Sequence, residues 1–275
     1  MLRRCRTLAL VLRQRRSIAL QLNNVKLNFS SFYCLIFSLP ERLVILRRYP
    51  HFHPMLKSEP TPHGAGIVLW GDAFDFSSLY ETVHKLAQRD LLGENVMEYV
   101  LGLAYDFRKA AQSEMVDSLE KKFESQVLPG EAKYMGTRIL WPYLLTQVGI
   151  LRYAAAYLST TKEMQANLYR LESCAESALL KFDPETGKQC MCWLSEFSGF
   201  YQNYLLEFVN LQVKEFISIA DGNERFHSLP KFLLSLHPMS NEYQAFDGEI
   251  STSAAQNACS TDDLRDKSDW PDFEW

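Results

Sequence analysis

The chain has 275 residues, of which 47% are hydrophobic and 13% aromatic, which is ample for a packed core and excludes a globally disordered protein. Its net charge of −4 conceals three regions, since residues 1–54 carry +9, residues 55–237 carry −6 and residues 238–275 carry −7. An acidic central region argues against a nucleic-acid scaffold, because contacts to phosphates need a clustered basic face, which only the N-terminal stretch could supply.

The first 54 residues differ in composition from the rest of the chain. Residues 1–40 contain six arginines, one lysine and no acid, which is typical of a mitochondrial targeting sequence. A start codon assigned too early is the alternative, and we favour it, because the composition changes at Met55 and an ordinary protein start follows. Residues 1–54 are therefore left out of the fold prediction, and the native protein is expected to begin at or near Met55.

The first half of the acidic region shows strand and helix patterns in turn. Residues 64–72 form a short apolar run bounded by glycines, which predicts a buried strand. A helix is predicted over about 77–92, because residues 78–81 match a capping box. Apolar residues at helical spacing predict a second helix over 95–111. The charged stretch 112–131 ends in a Pro-Gly pair, and we expect a helical continuation that closes in a surface loop.

The second half is predicted to be mostly helical. Residues 132–140 are a second strand candidate, followed by a helix over about 142–158 that is apolar almost all round. We interpret it as a central core helix and not a membrane span, because an arginine near a bilayer centre costs ~2.5–3.5 kcal/mol. Further helices are predicted up to residue 182, over 191–219 and over 230–236.

These elements define the predicted organisation. Residues 55–237 form a mainly α domain of five to six helices with a small two-stranded β-sheet. Residues 238–275 lose helical periodicity and gain Ser, Asn, Gln and Asp, so we expect a disordered acidic tail. The six scattered cysteines contain no C-x-x-C pair, which favours a reducing, cytoplasmic location.

Three short motifs carry a family resemblance. They are Gly66-Ile-Val-Leu-Trp-Gly-Asp72, Leu101-Gly-Leu-Ala-Tyr-Asp-Phe-Arg108 and Gly136-Thr-Arg-Ile-Leu-Trp-Pro142. Together they resemble an uncharacterised family of bacterial proteins, a domain of unknown function, over roughly residues 62–182. The resemblance implies a bacterial cytoplasmic protein, and it implies no activity, cofactor or partner.

One set of side chains is typical of an active site. If the two predicted strands pair, Trp70 and Trp141 could wall a pocket that holds Asp–Arg pairs, the candidate catalytic residues being Asp72, Asp106, Arg108 and Arg138. The alternative is structural: Asp72 caps the next helix and Arg138 pairs with an acid. We favour the structural interpretation, because paired ions are as common in structural networks as at functional sites.

Candidate metal ligands do not form a complete set. Glu81 and His84 lie one turn apart, as in di-iron bundles, but those bundles need two such motifs and two further glutamates. Cys174, Cys190 and Cys192 offer three thiolates where zinc prefers four ligands, so we interpret them as small buried hydrophobes. The sequence therefore predicts no metal and no cofactor.

The end of the chain combines acids with aromatic residues. Trp270, Phe273 and Trp275 alternate with acidic side chains, and such peptides dock into hydrophobic pockets with a basic rim. A solubilising tail is the alternative. The leading hypothesis is a non-catalytic helical interaction module that binds an unknown protein partner through this tail, without nucleic acid or membrane. The alternative function is an enzyme or small-molecule-binding protein with the Asp–Arg pocket.

Overall fold

The structure is a computed structural model, and the residues it describes belong to one unit, His53–Trp275. The described stretches are residues 56–112, 119–124, 131–197, 204–259 and 269–275. The predictions for residues 1–54, a mis-assigned start or a targeting sequence, lie outside the described residues.

Four antiparallel strands form one sheet in the order β1-β2-β4-β3. They are β1 (Lys57–Pro60), β2 (Gly66–Gly71), β3 (Leu119–Glu124) and β4 (Glu131–Leu140). The two predicted strands are the central pair, β2 and β4. Their pairing places Val68 opposite Arg138 and Trp70 opposite Gly136. The sheet therefore has two strands more than the two that the sequence predicted.

The two additional strands lie at the edges of the sheet. β1 reads Lys-Ser-Glu-Pro and β3 reads Leu-Glu-Lys-Lys-Phe-Glu, so neither has the apolar run that marks a buried strand. Charged residues and proline are common on edge strands, where they discourage pairing with other chains. The helical continuation predicted for 112–131 is wrong, because residues 119–124 pair with β4 instead.

The described residues contain nine helices, more than the five to six predicted. The predicted helix over 191–219 is divided in two, a single-turn helix follows the first helix, and one helix lies in the expected tail. Their bounds are α1 (Ala73–Leu86), α2 (Arg89–Leu92), α3 (Glu94–Gln112), α4 (Trp141–Tyr157), α5 (Lys162–Phe182), α6 (Pro184–Glu196), α7 (Leu205–Ser218), α8 (Gly222–Ser235) and α9 (Asn241–Asn257).

The central position predicted for α4 is confirmed. The helix is buried along most of its length, including Trp141, Leu144, Leu145, Val148 and Leu151. Helices with apolar residues on all sides pack well only at the centre of a core or in a membrane. Within the described stretches, no helix combines the length and apolar character needed to cross a membrane.

The structure differs from the prediction of a disordered tail after residue 237. Helix α9 occupies part of it, and its N-cap Ser240 accepts a hydrogen bond from the backbone N–H of Tyr243. Only Tyr243 and Ala254 of α9 are buried. The helix was missed because it is mostly exposed, and hydrophobic periodicity marks only helices that bury a face.

Candidate functional site

The start of α1 is held by a pair of aspartates at the end of β2. The Asp75 backbone N–H donates to the Asp72 carboxylate at 2.8 Å, and the Asp72 N–H donates to the Asp75 carboxylate at 3.3 Å. This reciprocal capping box satisfies two backbone groups that would otherwise lack partners. It places the helix start four residues before the predicted one, because the true capping box lies upstream of residues 78–81. The structural role proposed for Asp72, a helix cap, is confirmed.

Two of the other candidate catalytic side chains, Asp106 and Arg108, have partners within their own helix. Burial raises the pKa of the Asp106 carboxyl, and the nearby charge of Lys109 opposes this shift. The guanidinium carbon of Arg108 lies 4.6 Å from the centre of the Tyr105 ring, within α3. These contacts come from residues of the same helix, so they position the side chains without gathering them with Asp72.

The two tryptophans of the predicted pocket have different surroundings. Trp70 donates from Nε1 to a Glu59 carboxylate oxygen at 3.2 Å, and its ring lies where a Cβ on Gly136 would fall, at 2.7 Å. Trp141 is fully buried, and its ring packs edge-on against Phe226 at 6.1 Å between centroids. Trp70 thus covers one face of the sheet, whereas Trp141 belongs to the helical core.

The cysteines divide into two groups. Cys174 and Cys190 are buried, as predicted, and burial raises the pKa of both thiols, to about 11 for Cys174. Thiols of this kind react slowly because the thiolate is the nucleophile. Cys192 is exposed, which differs from the prediction that all three are buried. Among the described residues, no group of three or more His, Cys, Asp or Glu side chains is arranged to hold a metal ion.

Asp75 is a buried acid, and its carboxyl is expected to make stability depend on pH. Burial, and secondly the charge of Asp72, raises its pKa from 3.8 to about 7. The native carboxyl thus holds its proton more tightly than the unfolded one. The resulting stabilisation is fully present below the unfolded pKa of 3.8 and is lost as pH rises through about 7.

The variant Asp75→Asn is expected to be the more stable protein at alkaline pH by about 1–3 kcal/mol, and to lose most of this advantage in acid. The asparagine oxygen still accepts the Asp72 N–H, so the cap is retained. Urea denaturation at about pH 5 and about pH 9 measures the difference. As a control, Asp72→Asn still accepts the hydrogen bond from the Asp75 backbone N–H and removes only the charge that repels the Asp75 carboxylate. Equal pH dependence in the original protein and Asp75→Asn would contradict the shift.

Segment 269–275, whose aromatic residues were predicted from the sequence to bind a partner, contacts the folded domain. The aromatic residues of segment 269–275 each lie against a cation of the helical domain. Trp270 lies 5.3 Å from the Lys214 ammonium nitrogen, Phe273 lies 6.0 Å from the Arg225 guanidinium carbon, and Trp275 lies 5.8 Å from that of Arg138. Contacts of this type are each worth about 0.5–1 kcal/mol at exposed positions.

Main-chain hydrogen bonds fix the same segment in place. The His63 N–H donates to the Trp275 main-chain oxygen at 3.2 Å, and Arg225 Nη1 donates to the Glu274 carbonyl oxygen at 2.9 Å. The Glu274 carboxylate lies 3.2 Å from His63 Nε2. Phe273 also packs against the main core cluster. We refer to the four basic residues that contact the segment, His63, Arg138, Lys214 and Arg225, as the cationic seat.

Arg225 is the residue around which the seat is built. It is buried, with 2% of its surface exposed, and its guanidinium donates to main-chain carbonyls from three parts of the chain. Besides Glu274, the acceptors are Ile217, Ile219 and His63, at 3.3, 3.0 and 2.9 Å. Burial lowers the pKa of Arg225, which measures the cost of desolvating its charge. The end of α7, the β1–β2 loop and segment 269–275 therefore meet at one side chain.

Two glycines let the β1–β2 loop approach the start of α8. Gly64 has a φ of +65°, and a Cβ there would lie 2.3 Å from the Gly222 carbonyl oxygen. A Cβ on Gly222 would in turn lie 2.8 Å from the main chain of His63. Only glycine meets both conditions at position 64, the left-handed backbone and the close approach. This approach brings His63 to the position from which it donates to Trp275.

The structure places the sequence-predicted site residues in two groups. Arg138, Trp270, Phe273 and Trp275 come together at the cationic seat, although the sequence assigned Arg138 to a pocket and the aromatics to a separate tail. Asp72, Asp106 and Arg108 lie elsewhere, in local contacts. Sequence reasoning missed His63, Lys214 and Arg225, because a single basic residue in a loop or on an amphipathic helix gives no signal of its partners.

Residues 56–275 match the family described as Domain of unknown function (DUF6904). The match includes the three motifs that carried the resemblance, and it extends beyond residues 62–182 to Trp275. No curated protein and no solved structure shows significant similarity to the chain. Because the match covers well over half of the sequence, the chain belongs to this family of unknown function.

Proposed function

We propose that this protein is a non-catalytic helical interaction module of the bacterial cytoplasm, and that segment 269–275 joins it to a protein partner. The observation that carries the proposal is the contact of all three aromatic side chains of the segment with cations of a folded domain. An acidic-aromatic sequence with this behaviour has the chemistry of a docking peptide.

The contacts at the exposed parts of the segment are weak enough for the segment to exchange between surfaces. Trp270 keeps 49% of its surface exposed, and the Glu274–His63 pair is exposed on both sides, at 80% and 49%. Exposed ion pairs and cation–aromatic contacts are each worth about 1 kcal/mol or less. A partner that offers a similar basic, apolar surface can therefore compete for the segment. The four candidate catalytic side chains have separate partners, and we propose no reaction for them.

The proposal is tested by capture from a lysate of the native host with three purified baits. They are the full chain, the variant Trp270→Ser/Phe273→Ser/Trp275→Ser, and Arg138→Ser, which removes one cation from the seat. We expect a specific protein with the full chain, none with the triple variant, and more with Arg138→Ser, because a segment held less tightly is more available. The exposed Lys188→Ser serves as the control for loss of a surface cation. Equal capture by the full chain and the triple variant would refute the role of the segment.

A further inference from the structure

The chemistry of segment 269–275 defines the surface that it needs. Its three aromatic side chains require apolar contact beneath a cation, and its acidic side chains require a basic rim. Among the described residues, the cationic seat meets these requirements, because Arg138, Lys214 and Arg225 each contact one aromatic ring. Every copy of the chain carries both the segment and this surface. Two copies can therefore exchange segments. Each segment would then make on the other copy the same contacts that it makes in its own chain, as in domain exchange.

The elements that connect the segment to the domain leave it able to reach a neighbour. Helix α9 has 17 residues, of which two are buried, and extends for roughly 26 Å. Tyr243 and Phe246 in its first half pack on Phe208 of the core. Nine residues, 260–268, follow before Asp269, and a chain of that length spans at most about 30 Å. The seat residues lie on β4, α7, α8 and the β1–β2 loop, and none of these precedes the segment directly in the chain.

We propose that the partner joined by segment 269–275 is a second copy of this chain, whose cationic seat receives the segment in exchange. This inference rests on the proposed function, since it names the partner of the same segment. The intramolecular arrangement dominates in dilute solution, because a short connection gives the segment an effective concentration near the millimolar range. The exchanged dimer becomes populated as the protein concentration approaches about 1 mM.

The decisive experiment mixes two full-length variants, each lacking one half of the interaction. Variant T, Trp270→Ser/Phe273→Ser/Trp275→Ser, keeps the seat and lacks the anchors of the segment. Variant S, Arg138→Ser/Lys214→Ser, keeps the segment and has lost two of the three seat cations that contact an aromatic ring. Nitrogen-15 labelling of T allows the backbone amide of His63 to be followed by NMR, because that N–H donates to the main-chain oxygen of residue 275 in the docked state.

Addition of unlabelled S is expected to move the His63 amide resonance of T to its position in the original protein. Addition of a chain with both sets of substitutions is expected to leave it unchanged. In a further titration, labelled T also carries Arg138→Ser and Lys214→Ser. Half of the full shift of its His63 resonance should then need about 5- to 30-fold more S, because two cation–aromatic contacts are lost. No movement of the resonance in the mixture of T and S overturns the exchange.

Sedimentation equilibrium of the unaltered chain provides a second measurement that does not depend on the folding of any substituted protein. The average mass is expected to rise above that of the monomer as the concentration approaches about 1 mM. A mass that stays monomeric overturns the proposal. Capture of a different host protein through the segment, with no exchange between S and T, overturns the second copy as partner and leaves the proposed function standing.

Discussion

Replacement of Arg225 by methionine is expected to lower the free energy of unfolding by about 3–5 kcal/mol. Methionine fills much of the space of the arginine stem but donates no hydrogen bond. The carbonyl groups of Ile217, Ile219, His63 and Glu274 all lose their guanidinium donor. The hydrogen bond to Ile217 is buried and the other three are partly buried. Acceptors that lose a partner away from water carry a desolvation cost, so the effect exceeds that of an ordinary surface substitution. Urea denaturation followed by circular dichroism measures it.

Two further variants separate the charge of Arg225 from its geometry. Arg225→Lys keeps a positive charge but lacks the planar guanidinium that reaches several carbonyls at once. We expect it to lose about half as much stability as Arg225→Met. Arg89→Met is the matched control at the surface, where Arg89 Nη2 lies 2.6 Å from Glu94 with side-chain exposures of 66% and 54%. Its cost should stay below about 1 kcal/mol. A similar cost for Arg225→Met and Arg89→Met would refute the central role of Arg225.

Replacement of Gly64 by alanine is expected to destabilise the protein by about 2–5 kcal/mol. Part of the cost, about 1–2 kcal/mol, comes from the left-handed backbone at φ +65°. The rest comes from the Cβ, which would lie 2.3 Å from the Gly222 carbonyl oxygen and force the β1–β2 loop away from α8. Because that loop carries His63, the same substitution should weaken docking of segment 269–275. Thermal unfolding and the NMR position of the His63 amide report the two effects.

Gly93 provides an internal control for this substitution. It has a φ of +75°, but no atom lies within 4 Å of the position of its Cβ. Gly93→Ala should therefore show only the cost of its own backbone conformation, φ +75° and ψ 166°, which is about 1–3 kcal/mol, and leave the His63 amide unmoved. If Gly64→Ala is no more destabilising than Gly93→Ala, the loop and α8 are not packed as closely as the structure places them.

The elements predicted from sequence are those with a strong local signal. The strand β2 and the helix α4 are apolar over most of their length, and burial of that apolar surface is what forms them. The strand β4 was found for a related reason, since its apolar end leads directly into Trp141 and α4. Asp72 was identified as a helix cap because capping is a contact between residues close in sequence.

The elements that were missed lack such a signal. The edge strands β1 and β3 form because β2 and β4 offer unpaired backbone groups, so their cause lies in the neighbouring strand and not in their own residues. The starting point of α1 was missed for a smaller reason, because the predicted capping box, residues 78–81, lies shortly after the one that the helix uses, residues 72–75. Helix α9 was missed because most of its surface is exposed and its sequence carries little hydrophobic periodicity.

The sequence by itself determined the family, the mainly helical class with a small sheet, the central helix, and the unusual acidic-aromatic composition of segment 269–275. These properties follow from composition and from contacts between residues that are near each other in the chain. Only the tertiary structure decided where that segment lies. His63, Arg138, Lys214 and Arg225 are separated by many residues, and each is an ordinary polar residue in its own element. Folding brings them together through Arg225, whose hydrogen bonds join chain segments that no local pattern relates.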